Sequence, residues 1–433
     1  MDTERNDRLR GSRTSHTAER GMIFCKVAVF VMFLAGCDFE VTNPGPVDDS
    51  FLNSPEAAEA VANGVERALS EAQNKVGFQN IVIAREEAAA GNPGNFGHRV
   101  AIRAGLLRAE DRPAVWATAH RGRWMAEDGL KRLRESLGTA FATSPLAARI
   151  LLYAGYTNRI LGDNMCFAVI DGGPEEPRTV HLERAEQQFT DAISAAQAAG
   201  LPDLATAAQA ARASVRVTLG KWSEAVADAQ AIPDAFEFQA TFTGATELEN
   251  NRIVHANVSE PWRALSVHGT FFEDYYTDNG DPRTPWTTNP DFPRGDGVDI
   301  PWLVERKYNP NRLAPINLSS GREMRLIEAE AMLRDGDWQA ALVAINGLRA
   351  GLTSDFTGQP IPLWQATTAV EAWTALKLER AIEFWLEGRT LADHRRYAEF
   401  GVPGDLPALF DMTGRSLCFP TSEPEVDTNP NIS

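Results

Sequence analysis

Hydrophobic positions recur at helical spacing in a stretch that begins at Arg322. Apolar side chains lie three or four residues apart in two runs, which Gly336 separates. The first run comprises Met324, Ile327, Ala331 and Leu333, and the second comprises Trp338, Ala341, Leu342 and Ile345. Because a glycine at such a break favours a chain reversal, the pattern predicts a helical hairpin near residues 322–350.

A polar loop follows the hairpin, and a second amphipathic pattern then covers residues 371–400. Its apolar stripe is Ala375, Leu378, Ile382, Trp385 and Leu386, and it predicts one long helix. Glu379, Glu383 and Glu387 lie beside the stripe, four residues apart, where like charges repel by roughly a few tenths of a kcal/mol per pair. Basic partners would relieve this repulsion, and the candidates are Arg380, Arg389, Arg395 and Arg396. A solvated acidic face explains the pattern equally well.

The sequence contains a widely spaced internal repeat. Residues 220–225 (GKWSEA) and 336–341 (GDWQAA) share the pattern G-x-W-x-x-A, which is typical of tetratricopeptide (TPR) helical hairpins. We therefore predict TPR-like hairpins near residues 146–232 and 322–350, with a loop-rich region at 233–320 between them. The repeated tryptophans, Trp222 and Trp338, are expected to pack between helices. Trp116 and Trp124, in a predicted helix at 115–137, are likewise expected in the core.

Residues 1–36 are interpreted as a leader. Polar residues precede Met22, and one lysine and an apolar run follow it, as in a secretory signal peptide whose true start is Met22. The run is too short for an ordinary membrane span, although an uncleaved anchor helix is the alternative. Residues 34–37 (LAGC) resemble the lipobox of bacterial lipoproteins, so we predict lipidation at Cys37.

The net charge of the chain limits the kinds of ligand that it is expected to bind. The chain has a net charge of −17, and residues 1–36 contain six basic and four acidic residues, so removal of their +2 leaves −19. This acidity argues against binding to a nucleic-acid backbone. It suits a soluble body that a lipid anchor holds at a membrane.

Two cysteines remain once Cys25 is cleaved off and Cys37 is lipidated. Outside the cytoplasm such a pair more often forms a disulfide than stays free, so we predict a bond between Cys166 and Cys418. The alternative, a nucleophilic cysteine, lacks a histidine partner nearby in the sequence.

Four segments together resemble a known family. They are residues 379–396 (ERAIEFWLEGRTLADHRR), 326–349 (LIEAEAMLRDGDWQAALVAINGLR), 281–283 (DPR) and the closing tail from Cys418 to Asn431. Taken in chain order, these segments are similar to the motifs of the SusD/RagB nutrient-binding lipoproteins. The tail departs slightly from the family pattern, since Thr421 and Ser422 follow Phe419-Pro420.

The resemblance implies an all-α, SusD-like fold for residues 37–433, in which TPR-like hairpins carry an irregular, loop-rich inserted subdomain. It implies non-catalytic capture of an oligosaccharide or another oligomeric nutrient. It also implies delivery to a SusC-like, TonB-dependent outer-membrane transporter by a protein that is lipid-anchored in the outer membrane, at the cell surface.

The sequence offers little catalytic chemistry. We find no HExxH, CxxC pair, phosphate-binding glycine loop or G-x-S-x-G, and no histidine has metal-ligand spacing, so no metal and no cofactor is predicted. Adjacent carboxylates such as Glu86-Glu87 are compatible with an all-α glycoside hydrolase, but chance adjacency explains them. The main alternative to nutrient capture is a periplasmic TPR-type scaffold for a protein partner.

Candidate ligand residues come from composition and loop placement. Sugars present apolar faces to aromatic rings and hydroxyl groups to polar side chains. On this basis we select Asn95, Phe96, Tyr276, Trp286 and Trp302, although an ordinary connector is the alternative for the loop around Asn95. A local salt bridge between Asp281 and Arg283 predicts a structural role for that segment. The sequence does not identify the ligand.

Overall fold

The computed structural model describes residues 49–91, 100–111, 113–257 and 262–432. Its helices are α1 (Ala58–Ile83), α2 (Val100–Arg103), α3 (Pro113–Leu137), α4 (Pro145–Asn164), α5 (Thr179–Ala198), α6 (Pro202–Thr218), α7 (Trp222–Gln230), α8 (Arg252–Ala256), α9 (Phe271–Asn279), α10 (Gly321–Arg334), α11 (Trp338–Gly347), α12 (Ala369–Glu383), α13 (Thr390–Glu399) and α14 (Glu423–Thr428). Short 3₁₀ turns connect several of them. The predicted all-α fold class is confirmed.

The strands are short and form antiparallel pairs. They are β1 (Ala88–Ala89), β2 (Phe167–Val169), β3 (Glu175–Pro177), β4 (Glu237–Ala240), β5 (Leu265–Ser266), β6 (Trp286–Thr288), β7 (Leu303–Glu305) and β8 (Ile316–Ser320). The pairs are β1–β5, β2–β3, β4–β8 and β6–β7. Most of these strands lie between α7 and α10, where the sequence predicts a loop-rich region.

The helices pack pairwise along the chain. Helix α3 packs on α1, α4 on α3, α5 on α4, α6 on α5 and α7 on α6, and α10 then returns against α7. This nearest-neighbour packing is typical of TPR-like arrays. The predicted hairpin at 322–350 is formed by α10 and α11, whose Leu326 and Ile345 are fully buried against Leu376 of α12.

Local sequence signals explain several helix starts. The Ser144 hydroxyl accepts a hydrogen bond from the Ala147 amide, and Pro145 occupies the first turn of α4. Thr368 and Glu371 form a reciprocal capping box at the start of α12. These caps satisfy amide groups that would otherwise lack partners at a helix terminus.

The long helix predicted between residues 371 and 400 is wrong. Helix α12 ends at Glu383 and α13 begins at Thr390, with Leu386 and Gly388 at positive φ between them. A Cβ atom on Gly388 would lie 2.4 Å from Cα of Gly77 in α1. The helix therefore breaks because the chain must approach another backbone, which only glycine permits.

A disulfide fastens the C-terminal tail to the helical array. Cys166 and Cys418, the pair expected from the sequence, are bonded with their Cα atoms 5.1 Å apart. The amide of Cys166 also donates to the carbonyl oxygen of Phe419 at 2.8 Å. The tail thus lies beside the end of α4 and the start of β2.

The leader and Cys37 lie outside the described residues. Among the residues that are described, no helix combines the length and apolarity needed to span a bilayer. Trp116 is buried as predicted, but the core position predicted for Trp124 is wrong, since Trp124 is 55% exposed on α3.

Candidate functional site

Glu379 in α12 lies at the centre of a buried ion-pair network. Its side chain is 0% exposed, and it accepts hydrogen bonds from Arg283 at 2.6 Å, from Arg349 at 2.8 Å and from the Trp364 indole at 2.8 Å. The Arg349 guanidinium also lies 4.7 Å from the centre of the Trp364 ring. A carboxylate this deeply buried is stabilised only because such partners replace its water.

The other two glutamates of the predicted acidic face are paired as well. Glu383 contacts Arg322 at 2.7 Å and Arg283 at 3.1 Å, and Glu387 contacts Lys307 at 3.0 Å. A solvated acidic face is therefore wrong for these residues. The basic partners come from distant segments of the chain.

The four arginines proposed as partners from the sequence bind other carboxylates. Arg380 pairs with Asp393, Arg389 with Glu323, Arg395 with Glu399, and Arg396 with both Glu330 and Asp393. Burial alone would raise the pKa of Asp393, but the adjacent arginines outweigh it and hold that pKa well below its usual range. These pairs join α12 and α13 to α10.

The network also positions the loop-rich region. Arg283 binds Asp281 at 2.8 Å, which confirms the local salt bridge predicted for this segment. The Tyr275 hydroxyl donates to Asp281 at 2.7 Å and receives a hydrogen bond from Arg349 at 3.0 Å. Helix α9 and the strand that follows it are therefore held against α12 by buried, charge-assisted hydrogen bonds.

Three aromatic rings meet on the outer side of this anchored segment. We call Tyr276, Trp286 and Phe356 the aromatic ledge. The Tyr276 ring lies 6.0 Å from the Trp286 ring and 4.9 Å from the Phe356 ring, with both pairs tilted edge to face. Phe356 is 57% exposed and Trp286 is partly exposed, whereas Tyr276 is only 8% exposed. Tyr276 therefore supports the ledge from beneath.

The ledge has polar groups close to its rings. Tyr276 donates its hydroxyl to Asp355 at 3.0 Å, and burial together with this carboxylate raises the pKa of Tyr276 to about 12. The amide of Asp355 donates to the carbonyl of Gly280, which fixes the loop that carries Phe356 to the end of α9. The indole Nε1 of Trp286 has no hydrogen-bond partner among the described residues.

The ligand residues selected from the sequence lie in different settings. Tyr276 and Trp286 are brought together in the ledge. Trp302 is 2% exposed, and its amide donates to the Pro293 carbonyl at 3.0 Å. Asn95 and Phe96 lie outside the described residues. Phe356 was missed, although a lone phenylalanine within the polar run TSDFTGQP is a signal for an exposed ring.

The carboxylates suggested for a glycoside hydrolase are buried. Glu86 and Glu87 are each 0% exposed, and they accept hydrogen bonds from the Leu386 amide and the Asn257 side chain. Burial raises the pKa of Glu86 to about 7 and that of Glu87 well above its usual range. At these positions the two carboxylates are part of the packing around α1 and do not line an open cleft.

Metal binding also receives no support from the geometry. Within the described ranges, no group of three or more His, Cys, Asp or Glu side chains is arranged to hold a metal ion. The features that remain for ligand binding are aromatic faces and hydrogen-bonding groups.

Known structures resemble this chain closely in fold. A SusD/RagB family protein from Bacteroides thetaiotaomicron has a TM-score of 0.64 at 13% identity, over 86% of this chain and 94% of its own. A laminarin-binding SusD-like protein has a TM-score of 0.63 at 16% identity, over 88% and 98%. A SusD-like carbohydrate-binding protein from Bacteroides vulgatus has a TM-score of 0.57 at 15% identity, over 79% and 83%.

These similarities define the class of the molecule: it has the SusD-like fold. No family model and no curated protein matches the sequence. The resemblance found in the motifs is thus confirmed at the level of the fold. The motif segments at 281–283, 326–349 and 379–396 contribute many of the charged residues of the buried network.

Proposed function

We propose that this protein captures a glycan at the aromatic ledge without altering it covalently. The observation that carries the proposal is the pairing of Phe356 and Trp286 with a fixed polar edge. Sugar rings offer a flat apolar face and a rim of hydroxyl groups, and the ledge offers partly exposed rings together with the exposed carboxylate of Asp355.

The fold supports this assignment. Among the structures with the same fold, one is described as laminarin-binding and another as carbohydrate-binding. The buried network supports it as well, because it fixes the segments that carry the rings. A rigid platform reduces the entropy that is lost when a flexible ligand binds.

The proposal extends to where the protein is located and to the partner to which it delivers its ligand. The protein is anchored in the outer membrane through a lipid on Cys37, faces the cell surface, and passes its ligand to a TonB-dependent transporter. The lipobox-like residues 34–37 and the overall acidity support this placement. A peptide or another oligomeric nutrient would use similar surfaces, and glycan is preferred because the rings are combined with hydroxyl-binding groups.

The experiment that tests capture is native affinity electrophoresis of the mature chain in gels containing laminarin, starch or galactomannan. We expect at least one polysaccharide to retard the protein, and the variant Trp286→Ala/Phe356→Ala to be retarded much less. Hydrolysis of the polysaccharide, or equal retardation of both proteins, would contradict the proposal.

A second experiment tests the partner. The full-length, tagged protein is purified from gently solubilised outer membrane, and co-purifying proteins are identified. A large β-barrel transporter in stoichiometric amount is expected. A preparation without such a barrel would instead favour the periplasmic TPR-type scaffold.

A further inference from the structure

Trp124 lies at the edge of an open cleft that shares no lining residue with the aromatic ledge. The cleft has a volume of about 400 Å³, and its lining includes Arg121, Arg123 and Trp124 from α3, the turn at Asp171 and Gly172, and Glu425 of α14. The Trp124 side chain is 55% exposed. A ring exposed to this extent is accessible for stacking against the apolar face of a ligand.

The wall opposite α3 is rigidly held. The side-chain amides of Asn429 and Asn431 donate to the carbonyl oxygens of Gly173 and Gly172 at 2.9 and 2.8 Å. The disulfide between Cys166 and Cys418 fastens the same tail to the strand that leads into this turn. The backbone of this wall is therefore held in place by the tail.

Arg123 is a buried, charged side chain that lines the cleft. It is 3% exposed and binds Asp171 and Glu127 at 2.6 Å each, whereas its Nε has no hydrogen-bond partner among the described residues. This Nε is enclosed, so a ligand oxygen reaches its unsatisfied N–H only after a small shift of the side chain, and the new hydrogen bond would then stabilise the complex. This is an observation independent of the exposed tryptophan.

The charges around the cleft are already compensated. Arg123 has two carboxylate partners, and Arg121 binds Glu71 at 2.7 Å. Burial lowers the pKa of His120 to about 3, so its imidazole is neutral near pH 7. A phosphate or uronate would therefore find no free cation, whereas the hydroxyl groups of a neutral sugar require only donors and acceptors.

We propose that this cleft is a second carbohydrate subsite, in which a neutral sugar ring packs on Trp124, accepts a hydrogen bond from Arg123 and donates hydrogen bonds from its hydroxyl groups to Asp171 and Glu425. The inference rests on the proposed glycan-binding function, but not on the ledge. Two subsites on one rigid body raise the effective concentration of a long glycan, so each subsite alone can be weak.

The test compares the mature wild-type chain with Trp124→Ala and Trp124→Phe by affinity electrophoresis in laminarin, starch and galactomannan. Phe51→Ala is the matched control, because Phe51 is 50% exposed and does not line the cleft. We expect Trp124→Ala to weaken retardation about 3- to 10-fold, with partial retention in Trp124→Phe and no change in the control. In the Trp286→Ala/Phe356→Ala background, adding Trp124→Ala should remove the residual retardation.

The possible outcomes separate this inference from the function itself. If the ledge variants lose binding while Trp124→Ala behaves as wild type in both backgrounds, the second subsite is wrong and glycan capture stands. If Trp124→Ala retains glycan binding but loses a co-purifying membrane protein, the cleft is a protein contact and the subsite is again wrong. If none of the three polysaccharides retards the wild type, both proposals fail for these glycans.

Discussion

The segments around Glu379 and Phe356 are tied to the same helix, α9, yet they differ in almost every physical property. Glu379 is fully buried and has three charged or polar partners, whereas Phe356 is mostly exposed on a short polar loop. The motif residues that gave the family resemblance belong almost entirely to the first kind. The comparison teaches that the recognisable part of this sequence encodes a scaffold, while the residues proposed to touch ligand carry no motif.

The largest expected effect follows from breaking the scaffold. Glu379→Ala removes the buried carboxylate that Arg283 and Arg349 share. Asp281 still pairs with Arg283 at 2.8 Å but lies 4.0 Å from Arg349, so we expect the variant to lower the free energy of unfolding by about 3–5 kcal/mol. Urea unfolding followed by circular dichroism measures this loss. Asp299→Ala removes an exposed pair with Arg294 and should cost under about 0.5 kcal/mol. Equal effects of the two variants would contradict the assigned role of the network.

Removal of the disulfide is expected to have the next largest effect. The bond joins residues 252 positions apart, and Cys166→Ser/Cys418→Ser should reduce stability by about 2–4 kcal/mol through greater freedom of the unfolded chain. The urea midpoint of the variant is compared with that of the oxidised wild type. An unchanged midpoint, with the wild-type bond verified by mass spectrometry, would show that the tail is held by its other contacts alone.

The buried carboxylate Glu305 predicts a pH effect. Burial raises its pKa to about 7, above the value of about 4.5 for an exposed glutamate, so its contribution is most favourable below pH 4.5 and is lost as the pH rises towards 7. Glu305→Gln, which retains an acceptor for the Tyr308 amide, should therefore be more stable than wild type by about 2 kcal/mol at pH 8 and show little gain at pH 5. The stability difference between the two proteins at each pH is the measurement, since titrating groups that do not interact with Glu305 cancel; Glu87, whose pKa the charge of Glu305 helps to raise, shifts in the same comparison. A difference that does not grow with pH would contradict the raised pKa.

The smallest predicted effect concerns the support of the ledge. Tyr276→Phe keeps the ring but removes the hydrogen bond to Asp355, so the loop carrying Phe356 should become less ordered. We expect a roughly 3- to 5-fold weaker glycan affinity, equivalent to about 1 kcal/mol, with stability changed by no more than that amount. Titration calorimetry and urea unfolding on the same sample distinguish the two quantities. An affinity equal to that of wild type would remove Tyr276 from the site.

Much of the scaffold is predictable from local sequence signals. The hairpin at 322–350 follows from apolar periodicity interrupted by Gly336, and the Cys166–Cys418 pairing follows from cysteine count. The helix break at Gly388 was missed because its cause is the approach of Gly77, more than three hundred residues away. The partners of Glu379 were missed for the same reason, since their proximity is a tertiary property.

The candidate site is harder to predict than the scaffold. Tertiary contacts decide whether an aromatic residue in a loop-rich segment is buried or exposed, and the local sequence pattern does not reveal those contacts. Trp302 and Trp286 occur in similar sequence surroundings, yet only Trp286 joins Tyr276 at the surface. Trp124 shows the converse, since helical spacing suggested a core position for a ring that is exposed.

The measurement that tests the central claim most directly is titration of the mature chain with the polysaccharide that retards it most strongly, for wild type and for Trp286→Ala/Phe356→Ala, with urea unfolding on the same samples. If the ledge is the ligand surface on an independent scaffold, the double variant loses at least tenfold in affinity while its unfolding free energy stays within about 1 kcal/mol of wild type. Undiminished affinity, or a loss of affinity that only accompanies unfolding, would contradict the division between scaffold and ledge.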